Sequence, residues 1–202
     1  ISIDLETTGL LPKEDRIIEL AAVRFRDGKE TEVYHSYLNP RREIPERITE
    51  LTGITFGMLK DAPQFGDVCS EILEFIGDDV LMAHHISFDF AFLKRAVLNS
   101  MSTKQAKVKG FEKKGIDTLK IARYFLPELE SRSLGALCKH YNITIDAHRA
   151  EEDARATALL YMKMWEEFAD AAEPEASKNK IFAPYQLIYK IKKDQLVFLF
   201  CL

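Results

Sequence analysis

Residues 1–6, Ile-Ser-Ile-Asp-Leu-Glu, alternate without a break, and this pattern limits what the chain can fold into more than any other. In an extended segment Ile1, Ile3 and Leu5 share one face, while Ser2, Asp4 and Glu6 share the other. The aliphatic face calls for burial, which leaves two carboxylates side by side at the C-terminal end of a strand, where open α/β sheets place ligands. Acids that close repel each other unless a cation lies between them. Thr7-Thr8-Gly9 then signals a turn. Two more strands follow, IIELAAVRF (17–25) and ETEVYHSYL (30–38), separated by Asp27-Gly28, a dipeptide suited to a tight hairpin. The opening therefore predicts a three-stranded meander.

Helical periodicity begins after Pro45, with ERITELTG and then DVCSEILEFIG, which ends on Gly77 as a C-cap. DVLMAH is a nearly continuous apolar run suited to a buried strand. FDFAFLKRAVLNSM predicts a helix from residue 88 that runs into a lysine-rich polar stretch. IDTLKIARYFL starts extended and turns helical before Pro127; SLGALCKHY and the run from Glu151 to Glu173 predict further helices. Strands first, then strands alternating with helices, predict an α/β fold around one mixed sheet. The last helix should stop before Pro174, leaving 174–202 as a linker and C-terminal arm whose apolar end, Val197 to Leu202, needs burial or a partner.

With 47% hydrophobic and 30% charged residues in 202, the chain has the composition of a folded domain with one sizeable core. A formal net charge of −4 is unlike a protein that holds long duplex by its overall field. A polyanionic ligand would have to be met locally, or by bound cations that the count omits. Cys69, Cys138 and Cys201 lack metal-ligand spacing and fit a reducing compartment. No apolar run approaches the roughly 18 residues of a membrane span, and the start lacks a signal-peptide pattern. The chain opens without Met, directly in an apolar run, as it would with preceding residues missing. The expectation is a cytoplasmic protein without membrane contact.

Two further clusters carry chemistry-bearing residues. AHHISFDFAFL holds Asp89 between Phe88 and Phe90 at a helix start, where a carboxylate can equally be a cap. HRAEEDARA holds His148 five residues before Asp153. On one continuous helix that spacing turns the two apart by roughly 140°, so both can serve one site only if His148 precedes the helix that carries Asp153. The sequence permits this, because the periodic apolar positions (Ala154, Ala158, Leu159, Met162, Trp165) begin after Asp153. Singly, each cluster reads as well as a polar strand end, a cap or a surface histidine.

In order, DLETTGL, HxxxFDxxFL and HRAxxDA resemble the DnaQ-like branch of the DEDD exonuclease superfamily, histidine subtype. This branch includes the DNA polymerase III ε-subunit and the exonuclease domains of Gram-positive polymerases. RIIELAAV, ELTGIT, IDTLKIARYFLPEL and SLGALC extend the resemblance over about residues 1–170. It implies a ribonuclease H-like fold: a mixed sheet, with an antiparallel meander plus parallel strands, flanked by helices. It also implies a 3′→5′ exonuclease domain over residues 1–173, with Asp4, Glu6, Asp89 and Asp153 as metal ligands and His148 as general base. Thr7 and Phe88 match positions that hold the terminal nucleotide, and Gly9 is assigned to turn geometry. Carboxylate oxygens suit two Mg²⁺ or Mn²⁺ ions, which can stabilise both attacking and leaving oxygens. Histidine is the residue type that exchanges a proton near neutral pH.

The implied substrate is the 3′ end of single-stranded or frayed DNA, released as nucleoside 5′-monophosphates in proofreading or repair, with a DNA polymerase or another replication or repair protein as partner. RNA trimming with the same chemistry is the alternative. A non-catalytic polymerase-binding module would be marked by a lost carboxylate, and all four are present. One departure stands out: the second motif usually reads His-Asn and here reads His84-His85, for which no catalytic role is expected. Lys104, Lys107, Lys109, Lys113 and Lys114 form either a solvated loop or a strip that tracks a nucleic-acid backbone. Excess EDTA is expected to abolish hydrolysis, and Mg²⁺ or Mn²⁺ to restore it. Full activity in excess EDTA would exclude the metal-dependent reading.

Overall fold

In the computed structural model, which describes residues 1–100, 115–145 and 148–172, five strands form one sheet in the order β3-β2-β1-β4-β5. The strands are β1 (Ser2–Thr7), β2 (Ile17–Arg26), β3 (Lys29–Tyr37), β4 (Leu81–Ala83) and β5 (Gly115–Asp117). β1–β2 and β2–β3 pair antiparallel, whereas β1–β4 and β4–β5 pair parallel, giving the predicted mixed sheet. Asp27 (φ 51°) and Gly28 (φ 75°) are both left-handed, as a two-residue hairpin between twisted strands requires.

Among the described residues seven helices accompany the sheet: α1 (Glu46–Thr52), α2 (Phe56–Leu59), α3 (Phe65–Ile76), α4 (Ile86–Ser100), α5 (Thr118–Phe125), α6 (Leu134–His140) and α7 (Ala150–Ala172). α2 is a single turn, capped by Thr55, that periodicity could not announce. α3 begins two residues before the predicted Asp67. That carboxylate accepts the Gln64 N–H at 2.8 Å, which fixes Asp67 as the third helical residue. The lysine-rich stretch and the C-terminal arm lie outside the described residues.

The alternation in β1 sorts the layers. Ile3 and Leu5 enter a core with Ile72 and Ile76 of α3 and Phe90, Phe92 and Leu93 of α4. The opposite face of β1 and β2 meets α7. Ala21 of β2 packs there against Ala150 and Ala154, and these small side chains let the first turns of α7 lie close to the sheet. Farther along, α7 packs Ala158, Leu160, Tyr161 and Met164 against Met82, Ile116, Ile121 and Leu137. Leu159, counted in the sequence with the apolar stripe, instead faces solvent, because its neighbours Leu160 and Tyr161 take the inward directions. Cys69 and Cys138 are buried free thiols. No helix among the described residues is long and apolar enough to cross a membrane.

Ala154→Leu should overpack the α7–β2 contact, cost about 1–3 kcal/mol and lower activity by moving α7 off the sheet. Leu159→Ala, on the exposed side, should change stability by less than about 0.5 kcal/mol. Urea denaturation of both variants checks the pair, and equal losses would contradict this packing.

Candidate active site

β1 and β4 run parallel, so their C-terminal ends open side by side at the point where the antiparallel meander meets the parallel strands. Asp4 and Glu6 project from β1 on the α7 side, half-buried. Asp89 lies in the first turn of α4 and Asp153 in the first turn of α7, both buried. His148 is exposed and precedes α7, as joint service with Asp153 demands. Its backbone N–H donates to Asp153 Oδ2 at 3.0 Å, while the Asp153 N–H donates to the Arg149 carbonyl at 2.9 Å. Glu6, His148 and Asp153 each bring one ligand atom within 4.8 Å of the others.

The acids shift one another's protonation. Burial first, then the charges of Asp89, Asp153, Glu6 and Glu19, hold the Asp4 carboxyl well above the usual range. Burial, Asp153 and Glu19 push Glu6 up to about 7, against a smaller opposing pull from Arg149. Asp89 is raised well above its ordinary value by burial, against backbone hydrogen bonds at Asp89 and Leu5. Burial also raises Asp153, against the His148 N–H bond. Asp153 Oδ1 is buried with no hydrogen-bond partner among the described residues. Crowded, desolvated carboxylates with an orphaned oxygen and an adjacent imidazole form a donor set that fits hard divalent cations.

The motif neighbours divide by role. The Thr7 hydroxyl donates to the Gly9 carbonyl at 2.6 Å, which spends its one proton within the turn. Phe88 is half-buried against the core, its ring 4.8 Å from that of Phe92. Gly9 is not left-handed, which corrects the expectation that its turn geometry selects glycine. A Cβ there would lie 2.6 Å from Asp15 Cγ. The Asp15 carboxylate accepts from the Thr8 hydroxyl and the Leu11 N–H, which leaves the space filled.

His84 is structural. Its Nε2 lies 2.9 Å from the Arg132 carbonyl, which can only accept, so Nε2 carries the proton and Nδ1 accepts from the Thr118 hydroxyl at 2.9 Å. Burial lowers its pKa and favours this neutral form. His85 is exposed with φ 78°, a conformation in which asparagine, aspartate and histidine are enriched among non-glycine residues. The departure from His-Asn therefore meets a backbone demand at the β4–α4 corner.

Sequence reading missed Glu19. It is fully buried in β2, opposite Glu6 in the β1–β2 register, and its charge raises Asp4, Glu6 and Asp153. The available signal was one acid inside the otherwise apolar IIELAAV.

A mixed sheet with carboxylates gathered at the shared end of β1 and β4 is the architecture of a ribonuclease H-like nuclease. The Exonuclease (RNase_T) family matches residues 1–161. The chain is 43% identical over 171 residues to DNA polymerase III PolC-type of Bacillus subtilis, covering 84% of this chain and 11% of that protein. It is 38% identical over 168 residues to DNA polymerase III subunit epsilon of Aquifex aeolicus, covering 83% of this chain and 80% of the subunit. Exonuclease X, solved in complex with 5′-overhanging duplex DNA, aligns with a TM-score of 0.64 at 27% identity, covering 83% of this chain and 91% of that one. The chain belongs to the exonuclease family, with the fold of the DnaQ-like 3′→5′ exonucleases. That family is divalent-metal dependent. The chain spans about a tenth of the PolC-type polymerases it matches, 11% of the B. subtilis protein.

The raised carboxyls fix a pH dependence. Between the ordinary glutamate value of 4.5 and about 7 the fold holds protons that the unfolded chain has released. Stability without metal should therefore fall as pH rises through that window and stay low above it. Adding Mg²⁺ or Mn²⁺ at pH 7.5 should raise the melting temperature, and Asp4→Asn should raise it without metal while shrinking the metal-induced gain. Thermal melts in EDTA that rise steadily from pH 5 to 8 would contradict the repulsion.

Proposed function

We propose that this chain removes nucleotides one at a time from the 3′ end of single-stranded or frayed DNA, in proofreading or repair, releasing nucleoside 5′-monophosphates. The observation that carries this reading is the gathering of Asp4, Glu6, Asp89 and Asp153 from three distant segments, with one imidazole beside Glu6 and Asp153. The unit to which this activity is assigned is residues 1–173. The cytoplasm is the compartment, and the names of the relatives point to a DNA polymerase as partner.

In this reading Asp4, Glu6, Asp89 and Asp153 hold two divalent cations, Mg²⁺ or Mn²⁺. Such cations, when bound, stabilise negative charge on the attacking and leaving oxygens of the phosphodiester. His148, exposed beside Glu6 and Asp153, takes the proton of the attacking water through its imidazole. Asp153 has a second duty, because its bond to the His148 N–H ties a ligand to the base. Phe88 offers a partly exposed ring beside Asp89 for the terminal base or sugar, and Thr7 offers its backbone.

Incubation with 5′-labelled single-stranded DNA and matched RNA tests polarity and sugar preference together. A strand blocked at its 3′ end should resist, and one blocked at its 5′ end should shorten stepwise. Nicking of a closed circle would make the protein an endonuclease, and faster loss of RNA would make it a ribonuclease. His148→Ala should lower the single-turnover rate by about 10²–10⁴ while metal and DNA still bind. A variant within about threefold of the parent across pH 5.5–9 would reduce His148 to a surface residue.

A further inference from the structure

Glu19 has no part in the chemistry above, yet it is a fully buried carboxylate at the floor of the site. A buried charge is costly unless it is paired and hydrogen-bonded. Its partners come from β3 and from the turn that leads into α7. His35 Nε2 of β3 is 2.7 Å from Oε1, Arg149 Nη2 is 3.6 Å from the same oxygen, and the Ala150 N–H donates to Oε2 at 3.3 Å. Arg149 is held in turn, since its Nη2 donates to the Tyr37 hydroxyl at 2.5 Å and its guanidinium carbon lies 5.9 Å from the Tyr37 ring centre. The His35 and Tyr37 rings meet edge to face at 5.1 Å.

Both residues that follow His148 are therefore anchored through Glu19, one by side chain and one by backbone. His148 itself has φ 67°, a left-handed conformation that a non-glycine residue keeps only when its surroundings hold it. Asp153 grips the turn at the His148 N–H, and Glu19 grips it at Arg149 and Ala150. Both Glu19 oxygens thus face partners on β3 or at the start of α7.

We infer that Glu19, with His35, Tyr37 and Arg149, is a positioning network that fixes the turn bearing His148 and so aims the imidazole at the attacking water. This rests on the reading of His148 as the base. Misplacing a reacting group by an ångström can cost on the order of 10²-fold in rate. Glu19→Gln keeps the shape but loses the charge. It should slow the chemical step by about 10–100-fold and leave the KM for DNA within about threefold. Tyr37→Phe removes one hydroxyl and should give a smaller loss in the same parameter.

The test is a double-mutant cycle on the whole chain, with single-turnover rates at saturating Mg²⁺ and single-stranded DNA. Glu19→Gln, Tyr37→Phe and Arg149→Lys are each measured alone and combined with His148→Ala. A network that acts only through the imidazole slows the parent and costs nothing further once His148 is alanine. Equal fold-losses in both backgrounds, no loss in the parent, or a loss confined to KM would each overturn the inference. If His148→Ala alone matches the parent, the base assignment falls, and the positioning role falls with it. Should Glu19→Gln fail to fold, Tyr37→Phe carries the same comparison.

Discussion

Carboxylates brought this close repel one another, and the rest of the structure holds them together against that force. Asp4 and Glu6 are fixed by strand pairing on one side and parallel contact on the other. Asp89 arrives on a helix whose Phe90, Phe92 and Leu93 are locked into the core under β1. Asp153 arrives on the opposite layer, where alanines allow α7 to approach. Hydrophobic burial, which is non-directional, supplies the force, and small side chains at the contact decide how near the acids come. The raised carboxyls record that compression.

Much of this was legible in the sequence. The strict alternation of residues 1–6 identified both the strand and the face of each side chain, because a period of two has no other structural meaning. Asp27-Gly28 marked the hairpin. The five-residue gap between His148 and Asp153 required a turn before the helix, and α7 starts at Ala150. What escaped depended on partners distant in the chain. Glu19 looked like one polar interruption of an apolar strand, since its meaning comes from His35 on the next strand and from Arg149 and Ala150 at the start of the last helix. Gly9 looked like a turn glycine because the carboxylate that fills its Cβ space comes from Asp15. Leu159 fitted the stripe by spacing alone, with the inward positions decided by what lies against α7.

The two histidines of the second motif show how one local pattern can carry unlike information. His84 is read by its side chain, which ties the β4 corner to Thr118 of α5 through Nδ1 and to Arg132, before α6, through Nε2. His85 is read by its backbone, which must turn left-handed to start α4 where Asp89 faces inward. A side chain at the first position is therefore tightly specified. At the second, any residue that accepts that dihedral can serve, and a ring exposed to solvent is tolerated.

The acids are supplied from opposite ends of the described chain, by β1, by α4 and by the final helix α7. This ordering has a consequence for how the protein is made. A chain folded only as far as α6 can already hold the meander, the parallel strands and the α3–α4 core, yet it lacks Asp153 and the turn before it. The approach of Asp153 to Asp4 therefore waits until α7 has been made. Chains that stop short of α7 thus lack one of the four clustered carboxylates.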